Sequence, residues 1–309
     1  MPGQEASSPA GHTGSEAGPG LAEITRGVST ADPDNAPAIW AVGDVHGCCA
    51  SLDALLSHPE IANDPACRLW FVGDLVNRGP QSAATVRRIM ALGDRATVVL
   101  GNHDVRALSI AAGCTRPNKH DRLDDLINAA DADVLFNWLR LRPLMYVEAG
   151  YVLTHAGIYP RWSVAQAQAL AGEVEALLAD DQWRRLMHLF DGRAAGGWHS
   201  RLKGARRVKF IVDAFTRMRF CSPSGKLIHA SKPASRGRSS DAVPWFDVPR
   251  RIPVEASILF GHWAALGLMV RADVACLDTG CVTGGCLTAL RLSDRKLLQV
   301  ACQHADAPA

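Results

Sequence analysis

Short apolar segments alternate with longer mixed segments along the first third of the chain. Three of them, residues 39–42, 69–72 and 97–100, have the length and the Val, Ile, Leu and aromatic content of buried strands. Each is followed at once by a polar block that contains glycine, and then by a helix-like segment. The pattern predicts repeated β–α units whose polar blocks lie at the carboxyl ends of the strands, where open α/β sheets place their chemistry.

Later segments extend this pattern and then change it. Pro80 suits the first turn of a helix that runs to about Leu92, residues 121–140 predict another helix, and Ser163 predicts the N-cap of a helix to about Ala179. Residues 181–220 are predicted to be helical or irregular, and residues 234–241 to be a loop. Strand-like runs at 151–154, 257–260 and 275–277 precede His155, His262 and Asp278, and further strands are expected at 286–292 and 297–302.

Three blocks carry candidate chemistry: Gly-Asp-Val-His-Gly (43–47), Gly-Asp-Leu-Val-Asn-Arg-Gly (73–79) and Gly-Asn-His-Asp (101–104). Carboxylate, imidazole and amide oxygen are ligands for a hard or borderline divalent metal. One such block is a common turn, but three at similar spacing, each after a strand, predict a two-metal hydrolytic centre.

The blocks are similar to the signature of the metallophosphoesterases, the superfamily that includes the calcineurin-like Ser/Thr phosphatases. Further segments between about Ile39 and Leu290 resemble the narrower family of symmetrical bis(5'-nucleosyl)-tetraphosphatases. They are residues 73–80, Thr-His-Ala-Gly-Ile (154–158), residues 214–221, Pro-Trp-Phe (244–246), Phe-Gly-His-Trp-Ala-Ala-Leu (260–266) and residues 277–282. The resemblance implies an α/β/β/α sandwich of two mixed sheets with a helical cap region at about 105–220. It also implies hydrolysis of diadenosine tetraphosphate to two ADP by water that two metals activate.

With that resemblance, the metal ligands are expected at six positions. Asp44 and His46 would bind the first ion, Asp74 would bridge both, and Asn102, His155 and His262 would complete the second. The predicted cofactors are two divalent ions, manganese or cobalt first and iron or magnesium as alternatives.

Substrate contacts are expected from basic residues. The planar fork of Arg78 suits a phosphate oxygen, His103 would face the leaving group or a phosphate, and Asp104 would orient His103. Seven basic residues occur between 201 and 219, of which Arg217 and Arg219 lie in a family-like block; Lys119 and Arg122 are further candidates. Trp162, Trp198, Trp245 and Trp263 could stack adenine, but aromatic side chains are more often core residues.

Asn77 departs from the pattern of the protein phosphatases. In those enzymes, as the resemblance implies, the residue at this position is an aspartate that supports the histidine of the third block. An amide does not raise the basicity of a histidine as a carboxylate does. A leaving ADP departs without a proton more readily than a serine alkoxide. The departure therefore favours cleavage of a phosphoanhydride, and Ser/Thr protein phosphatase activity remains the alternative. A silent phosphate-binding module is a third hypothesis, and removal of nucleoside-tetraphosphate caps from RNA 5' ends is a compatible fourth.

Composition adds limits rather than a function. The 309 residues carry a net charge of +2, and nine cysteines without a Cys-x-x-Cys pair predict reduced thiols in a cytoplasmic protein. No membrane and no obligate protein partner are expected. Residues 1–37, rich in Gly, Ser, Pro and Ala, are predicted to be a disordered extension, 38–302 the metallophosphoesterase domain, and 303–309 a C-terminal tail.

Overall fold

The computed structural model describes residues 37–190, 196–228 and 242–306. Its elements up to residue 154 are β1 (Ile39–Val42), α1 (Cys49–Leu56), α2 (Pro59–Ala62), β2 (Arg68–Phe71), α3 (Ser82–Met90), β3 (Ala96–Val98), α4 (Asn102–Ala111), α5 (Asp124–Ile127), α6 (Ala132–Arg140), β4 (Met145–Glu148) and β5 (Tyr151–Thr154). The remaining elements are α7 (Val164–Ala179), α8 (Trp183–Leu186), α9 (Gly204–Thr216), β6 (Phe220–Cys221), β7 (Leu227–Ile228), β8 (Val243–Pro244), β9 (Ser257–Phe260), β10 (Met269–Val270), β11 (Val274–Cys276), β12 (Cys286–Arg291) and β13 (Leu297–Ala301).

Two five-stranded sheets form the centre of the fold, in the orders β13-β12-β1-β2-β3 and β10-β11-β9-β5-β4. The β1–β2–β3 and β5–β9–β11 pairings are parallel and the others are antiparallel, so both sheets are mixed, as the sequence predicted. A small third sheet has the order β7-β6-β8.

The period-two alternation of strand side chains divides the core into layers. Ala41, Trp70 and Val72 pack with Leu153 and Leu259 of the other sheet, whereas Trp40, Leu69 and Phe71 belong to a separate cluster shared with the helices. Consecutive residues therefore face either the second sheet or a helical layer. This is the packing of an α/β/β/α sandwich, and the predicted fold class is confirmed.

The structure confirms one predicted helix and divides another. The helix from Ser163 has its N-cap as predicted, since the Ser163 hydroxyl accepts from the Gln166 amide at 3.2 Å, and the helix ends at Ala179. The single helix predicted at 121–140 is wrong, because α5 and α6 are separate. Asn128 and Asp131 lie in the break, and Asp131 instead forms an ion pair with Arg87 of α3.

The structure differs from the predicted domain boundaries at the cap region and at the C-terminal end. The proposed cap range, 105–220, contains β4 and β5 of the second sheet, so its helices do not form one uninterrupted insertion. Residues 303–306 pack on the domain rather than forming part of a tail, because the carboxylate of Asp306 accepts from the Ser51 amide and hydroxyl, both at 2.6 Å. The extension predicted at 1–37 and the loop predicted at 234–241 lie almost wholly outside the described residues.

Candidate metal centre

The first two glycine-containing blocks are joined by backbone hydrogen bonds. The amides of Val45 and His46 donate to the Asp74 carbonyl at 3.2 and 2.8 Å, and the Gly79 amide donates to the His46 carbonyl at 2.8 Å. The third block joins them through His103, whose amide donates to Asp74 Oδ1 at 2.7 Å. The blocks at the ends of β1, β2 and β3 therefore converge on Asp74, through its backbone carbonyl and its carboxylate.

Two glycines leave room for the acidic side chains. A Cβ at Gly101 would lie 2.1 Å from Asp74 Oδ1, and a Cβ at Gly261 would lie 1.9 Å from Asp44 Oδ1. Both distances are far below van der Waals contact. Any larger residue at either position would displace a carboxylate from the centre.

The backbone of the site is held in a sparsely populated conformation. Of the eight non-glycine residues with positive φ in the described ranges, five belong to the site: His46 (51°), Asp74 (50°), Asn77 (73°), Arg78 (72°) and His262 (65°). Each such residue costs of order 1–3 kcal/mol, and strain of this kind concentrates at functional sites. Backbone hydrogen bonds between the first two blocks help to hold this geometry.

Two candidate ligand clusters share Asp74. One joins His46, Asp74 and His103, the other joins Asp74, His155 and His262, and in each the ligand atoms lie within 4.8 Å of one another. Asp44 Oδ2 lies 3.7 Å from His46 Nε2, beside the first cluster. A carboxylate common to both clusters is the arrangement that a bridging ligand requires.

The donor set suits divalent cations. His155 Nδ1 is 2.8 Å from the Val72 carbonyl, which leaves Nε2 with a lone pair 3.3 Å from an Asp74 oxygen. The site-facing amide atom of Asn102 lies 3.3 Å from His155 Nε2 and 2.7 Å from His262 Nδ1. An amide oxygen is stable at that position when a cation lies among the three groups, whereas the amide nitrogen would face them in its absence.

Buried charge also favours a cation. The carboxylates of Asp44, Asp74 and Asp278 are almost completely inaccessible to solvent. Burial, then the charges of Asp278 and Asp74, raises the pKa of Asp44. Burial alone would raise the pKa of Asp74 as well, but the neighbouring imidazoles, His155 foremost, hold it well below its usual range. A bound cation would stabilise all these carboxylates in the ionised form.

His103 lies closer to the ligands than its predicted role implies. Its ring meets that of His46 edge-on, with centroids 4.9 Å apart, and its ligand atom belongs to the first cluster. Burial lowers the pKa of His103 to about 3. A neutral imidazole in this position is able to accept a hydrogen bond or to bind a metal, but it is not a ready proton donor.

The carboxylate of Asp104 does not orient the His103 ring. Asp104 Oδ1 accepts from the amides of Leu75 and Val76 at 2.9 and 3.3 Å, and Oδ2 accepts from the Gly101 amide at 2.9 Å. The prediction that Asp104 orients His103 is therefore wrong. Asp104 instead positions the second block and the start of α4. Side chains one residue apart on a helix point in different directions, which sequence adjacency hides.

A cavity of about 600 Å³ opens above the ligands. Arg78, Lys119, Arg122 and Arg219 line it together with Asp44, Asp74 and His262. The four basic residues were predicted from sequence as substrate contacts. The guanidinium of Arg219 is also held in place by the backbone, since its Nη2 donates to the His262 carbonyl at 2.7 Å.

Arg217 is placed differently. It lines a second cleft of about 280 Å³, which shares Arg78, Asn102, His103 and His120 with the first cavity. Its Nε lies 3.6 Å from Asp213 Oδ1. The other basic residues of this region divide between ion pairs and solvent: Arg207 binds Glu173, Lys209 binds Asp213, and Arg201, Lys203 and Arg206 are exposed.

Of the four tryptophans considered for adenine stacking, only Trp263 lines the cavity. Trp162 and Trp245 are buried core residues, and Trp198 packs against Trp162 with ring centroids 5.0 Å apart. Several further lining residues were missed as site candidates, among them His120, Asp278 and Val282. Asp278 follows the strand-like run 275–277, so the signal that selected His262 applied to it equally, whereas no local pattern marks His120 or Val282.

Comparison with known proteins agrees with this geometry. A family model described as calcineurin-like phosphoesterase matches residues 37–215. A protein of Bordetella parapertussis named "Bis(5'-nucleosyl)-tetraphosphatase, symmetrical" is 51% identical over 88% of this chain and 98% of its own length. Proteins of the same name from Methylococcus capsulatus and Nitrosospira multiformis are 48% and 43% identical, over 82% and 86% of this chain and 91% and 96% of their own lengths.

Solved structures support the fold at lower identity. The crystal structure of a provisionally assigned diadenosine tetraphosphatase matches with a TM-score of 0.59 and 22% identity, over 88% of this chain and 96% of that one. A cold-active protein-tyrosine phosphatase from a Shewanella species matches with a TM-score of 0.52 and 15% identity, over 86% and 80%. The chain therefore belongs to the calcineurin-like phosphoesterase family, within the branch of the symmetrical bis(5'-nucleosyl)-tetraphosphatases.

Proposed function

We propose that this protein hydrolyses diadenosine 5',5'''-tetraphosphate symmetrically to two ADP, with water attacking a central phosphoanhydride. The observation that carries the proposal is a carboxylate, Asp74, shared by two ligand clusters under a cavity whose wall holds Arg78, Lys119 and Arg122. Relatives 43–52% identical over most of the chain bear the name of that activity.

The family uses a dinuclear divalent metal centre, and the proposed ligands are Asp44, His46 and Asp74 for one ion and Asp74, Asn102, His155 and His262 for the other. When bound, two such ions supply Lewis-acid activation and lower the pKa of the attacking water. A mixed set of oxygen and imidazole ligands favours manganese or cobalt, with iron or magnesium as alternatives.

The protein's own residues have the tasks of holding the polyphosphate and balancing its charge. Arg78 lines both the main cavity and the second cleft, so its fork would bind the phosphates that flank the bond to be cut. Lys119, Arg122 and Arg219 would bind further phosphates on one side, and Arg217 on the other. A neutral His103 agrees with departure of ADP as an anion, because phosphate charge does not require a proton before the bond breaks.

Ser/Thr protein phosphatase activity is the weaker proposal. Asn77 would have to support His103, but its amide instead contacts Asp121 and its oxygen accepts from Arg78 and Arg122. Without that support, a basic serine alkoxide would lack its proton donor.

Removal of nucleoside-tetraphosphate caps from RNA is a second proposed activity. It rests on the second cleft, which continues from the centre past Arg78 and gives the remainder of a longer substrate a path. We further propose a cytoplasmic location, because all nine cysteines lie in the described ranges with free thiols. In the part of the chain that the structure describes, no helix has the length and apolar character to cross a bilayer.

Product analysis in ¹⁸O-labelled water tests the main proposal. Manganese-loaded protein should convert diadenosine tetraphosphate to ADP alone, with label in half of the ADP molecules. Formation of AMP and ATP would show asymmetric cleavage and overturn the assignment. A phosphoserine peptide assayed in parallel should be a poor substrate, and efficient dephosphorylation would favour the phosphatase instead.

A further inference from the structure

The main cavity has two chemically different walls. Arg78, Lys119, His120 and Arg122 form a basic wall on the side of the second block. A second wall is mostly apolar and is formed by two turns, 263–265 and 280–283, that contribute Trp263, Ala264, Ala265, Val282 and Thr283. We propose that this apolar wall, formed by the two turns, is the subsite for one nucleoside of the substrate.

The two turns are held rigidly and meet each other. The Leu266 amide donates to the Trp263 carbonyl at 2.8 Å, and the Thr283 amide and hydroxyl both donate to the Gly280 carbonyl at 2.9 Å. A Cβ at Gly280 would lie 3.8 Å from Ala264 Cβ, so the two turns lie side by side. Gly280 and Gly284 have φ of 69° and 88°, which glycine adopts without strain. The wall is therefore formed before any ligand binds.

The side chains of the wall suit a flat ring. Trp263 is only 6% exposed and its ring packs on Phe220, with centroids 4.7 Å apart, so it supports the wall rather than offering its face. Ala264 and Ala265 are exposed and Val282 is half-buried. Small apolar side chains over a fixed aromatic base leave space for a nucleobase and contact its face without competing hydrogen bonds.

Position and charge select the nucleoside rather than another apolar group. The wall is continuous with the proposed metal ligands Asp44 and His262 and with Asp278, all of which line the same cavity. A group that fits must therefore carry an apolar ring at one end and anionic phosphates at the other. The second cleft offers no equivalent among the described residues that line it, since these are all polar or charged, Arg106, Asn118, Asp121 and Arg217 among them.

The subsite is tested by calorimetric titration of the manganese-loaded protein with ADP and, separately, with pyrophosphate. The test variants are Ala264→Gln and Val282→Gln, which add a neutral polar side chain to the wall without changing its charge. Ala62→Gln, at an exposed alanine on α2 outside the cavity, is the matched control. Each added amide side chain would occupy space beside the wall that the base needs, so each test variant should weaken ADP by about tenfold or more.

Pyrophosphate lacks the base, and its affinity should stay within about twofold in every variant. Equal weakening of both ligands, or unchanged affinity for ADP in both test variants, would overturn the subsite. The inference rests on the proposed function, but the two fail separately. A wild-type protein that does not cleave diadenosine tetraphosphate contradicts the function, whereas the contrast between ADP and pyrophosphate judges the subsite alone.

Discussion

The side-chain nitrogen of Asn77 donates to Asp121 Oδ1 at 2.9 Å. This bond connects the second block to the segment that carries Lys119, His120 and Arg122 of the basic wall. The Asn77 oxygen completes the connection, since it accepts from the amides of Arg78 at 2.7 Å and Arg122 at 2.9 Å. Asn77 is fully buried and has φ of 73°, which asparagine tolerates better than most residues. One side chain thus positions two proposed phosphate-binding arginines.

Asn77→Asp should therefore damage the site rather than convert it into a protein phosphatase. The substitution replaces the donor with a carboxylate that faces Asp121, and the resulting repulsion and lost hydrogen bond should cost about 1–3 kcal/mol of stability. KM for diadenosine tetraphosphate should rise, with no gain on a phosphoserine peptide. The measurements are a urea unfolding curve and steady-state kinetics on both substrates.

The double variant Asn77→Asp with Asp121→Asn provides the control, because it restores a donor opposite an acceptor. It should recover part of the stability that the single variant loses. A gain of phosphoserine hydrolysis by Asn77→Asp alone would contradict this account and would support direct coupling of residue 77 to His103.

Acid should remove the contribution of Asp121. The guanidinium of Arg106 binds this carboxylate through Nε at 2.7 Å and, with other donors, holds the pKa of Asp121 well below its usual range. A depressed pKa stabilises the fold above the unfolded value of about 3.9, and the effect is lost as the pH falls through the folded value. Asp121→Asn should thus lower the Tm at pH 7, and the difference from wild type should shrink from about pH 4 downward.

Asp133→Asn is the control for this titration, because that side chain is 92% exposed and pairs with Arg184 at the surface. Its Tm should follow the wild type at every pH, since exposed ion pairs contribute little. A difference for Asp121→Asn that stays constant down to pH 2 would show that packing, not charge, makes residue 121 stabilising.

Asp74→Asn should abolish the activity and reduce the metal content. The amide has one oxygen donor instead of two, so it is unable to bridge both ions as the carboxylate would. We expect kcat to fall by about 100-fold or more and bound manganese to fall from two ions towards one. Activity assays with metal analysis check this, and Asp53→Asn, at an exposed ion pair with Arg88, should behave as wild type.

Removal of metal should lower thermal stability even in the wild type. Asp44, Asp74 and Asp278 are buried together, and without an ion their mutual repulsion is offset only in part, by neighbouring imidazoles, the Arg219 guanidinium and backbone amides. At about 100 times its Kd, a ligand stabilises the native state by roughly 2.7 kcal/mol, which corresponds to several degrees in Tm for a domain of this size. Chelation followed by manganese titration in scanning calorimetry measures the shift, and an unchanged Tm would contradict a metal at this centre.

Asp306→Ala should destabilise the start of α1, the helix that follows the first block. The Asp306 carboxylate is buried and accepts from the amide and hydroxyl of Ser51 at the start of α1, where the N-cap residue Cys48 supplies no side-chain bond. Losing a charged acceptor at a helix N-terminus costs about 1–3 kcal/mol. Chemical denaturation measures the loss, and the exposed neighbour Ala305 substituted by Ser is the control. Equal stability of both variants would show that residues 303–306 do not stabilise the domain and behave as a tail.

Local sequence was sufficient for the strands and for the first three blocks. A buried strand followed by glycine and then by an acidic residue or asparagine is encoded within about ten residues, and the parallel β1–β2–β3 pairing then brings the three blocks to one edge. The same reasoning gave the N-cap at Ser163, because a capping hydroxyl acts within one helical turn. Family-like segments extended the prediction to His155 and His262.

Tertiary contacts decided the rest, since they join residues that no local pattern relates. The side chain of Asp104 binds the 75–76 backbone instead of its neighbour, Asn77 binds Asp121 rather than His103, and Asp306 caps a helix 255 residues earlier in the chain. The apolar wall likewise forms only where the 263–265 and 280–283 turns meet. Each of these contacts satisfies a buried polar group or fills space left by glycine, and such demands arise only once the chain has packed.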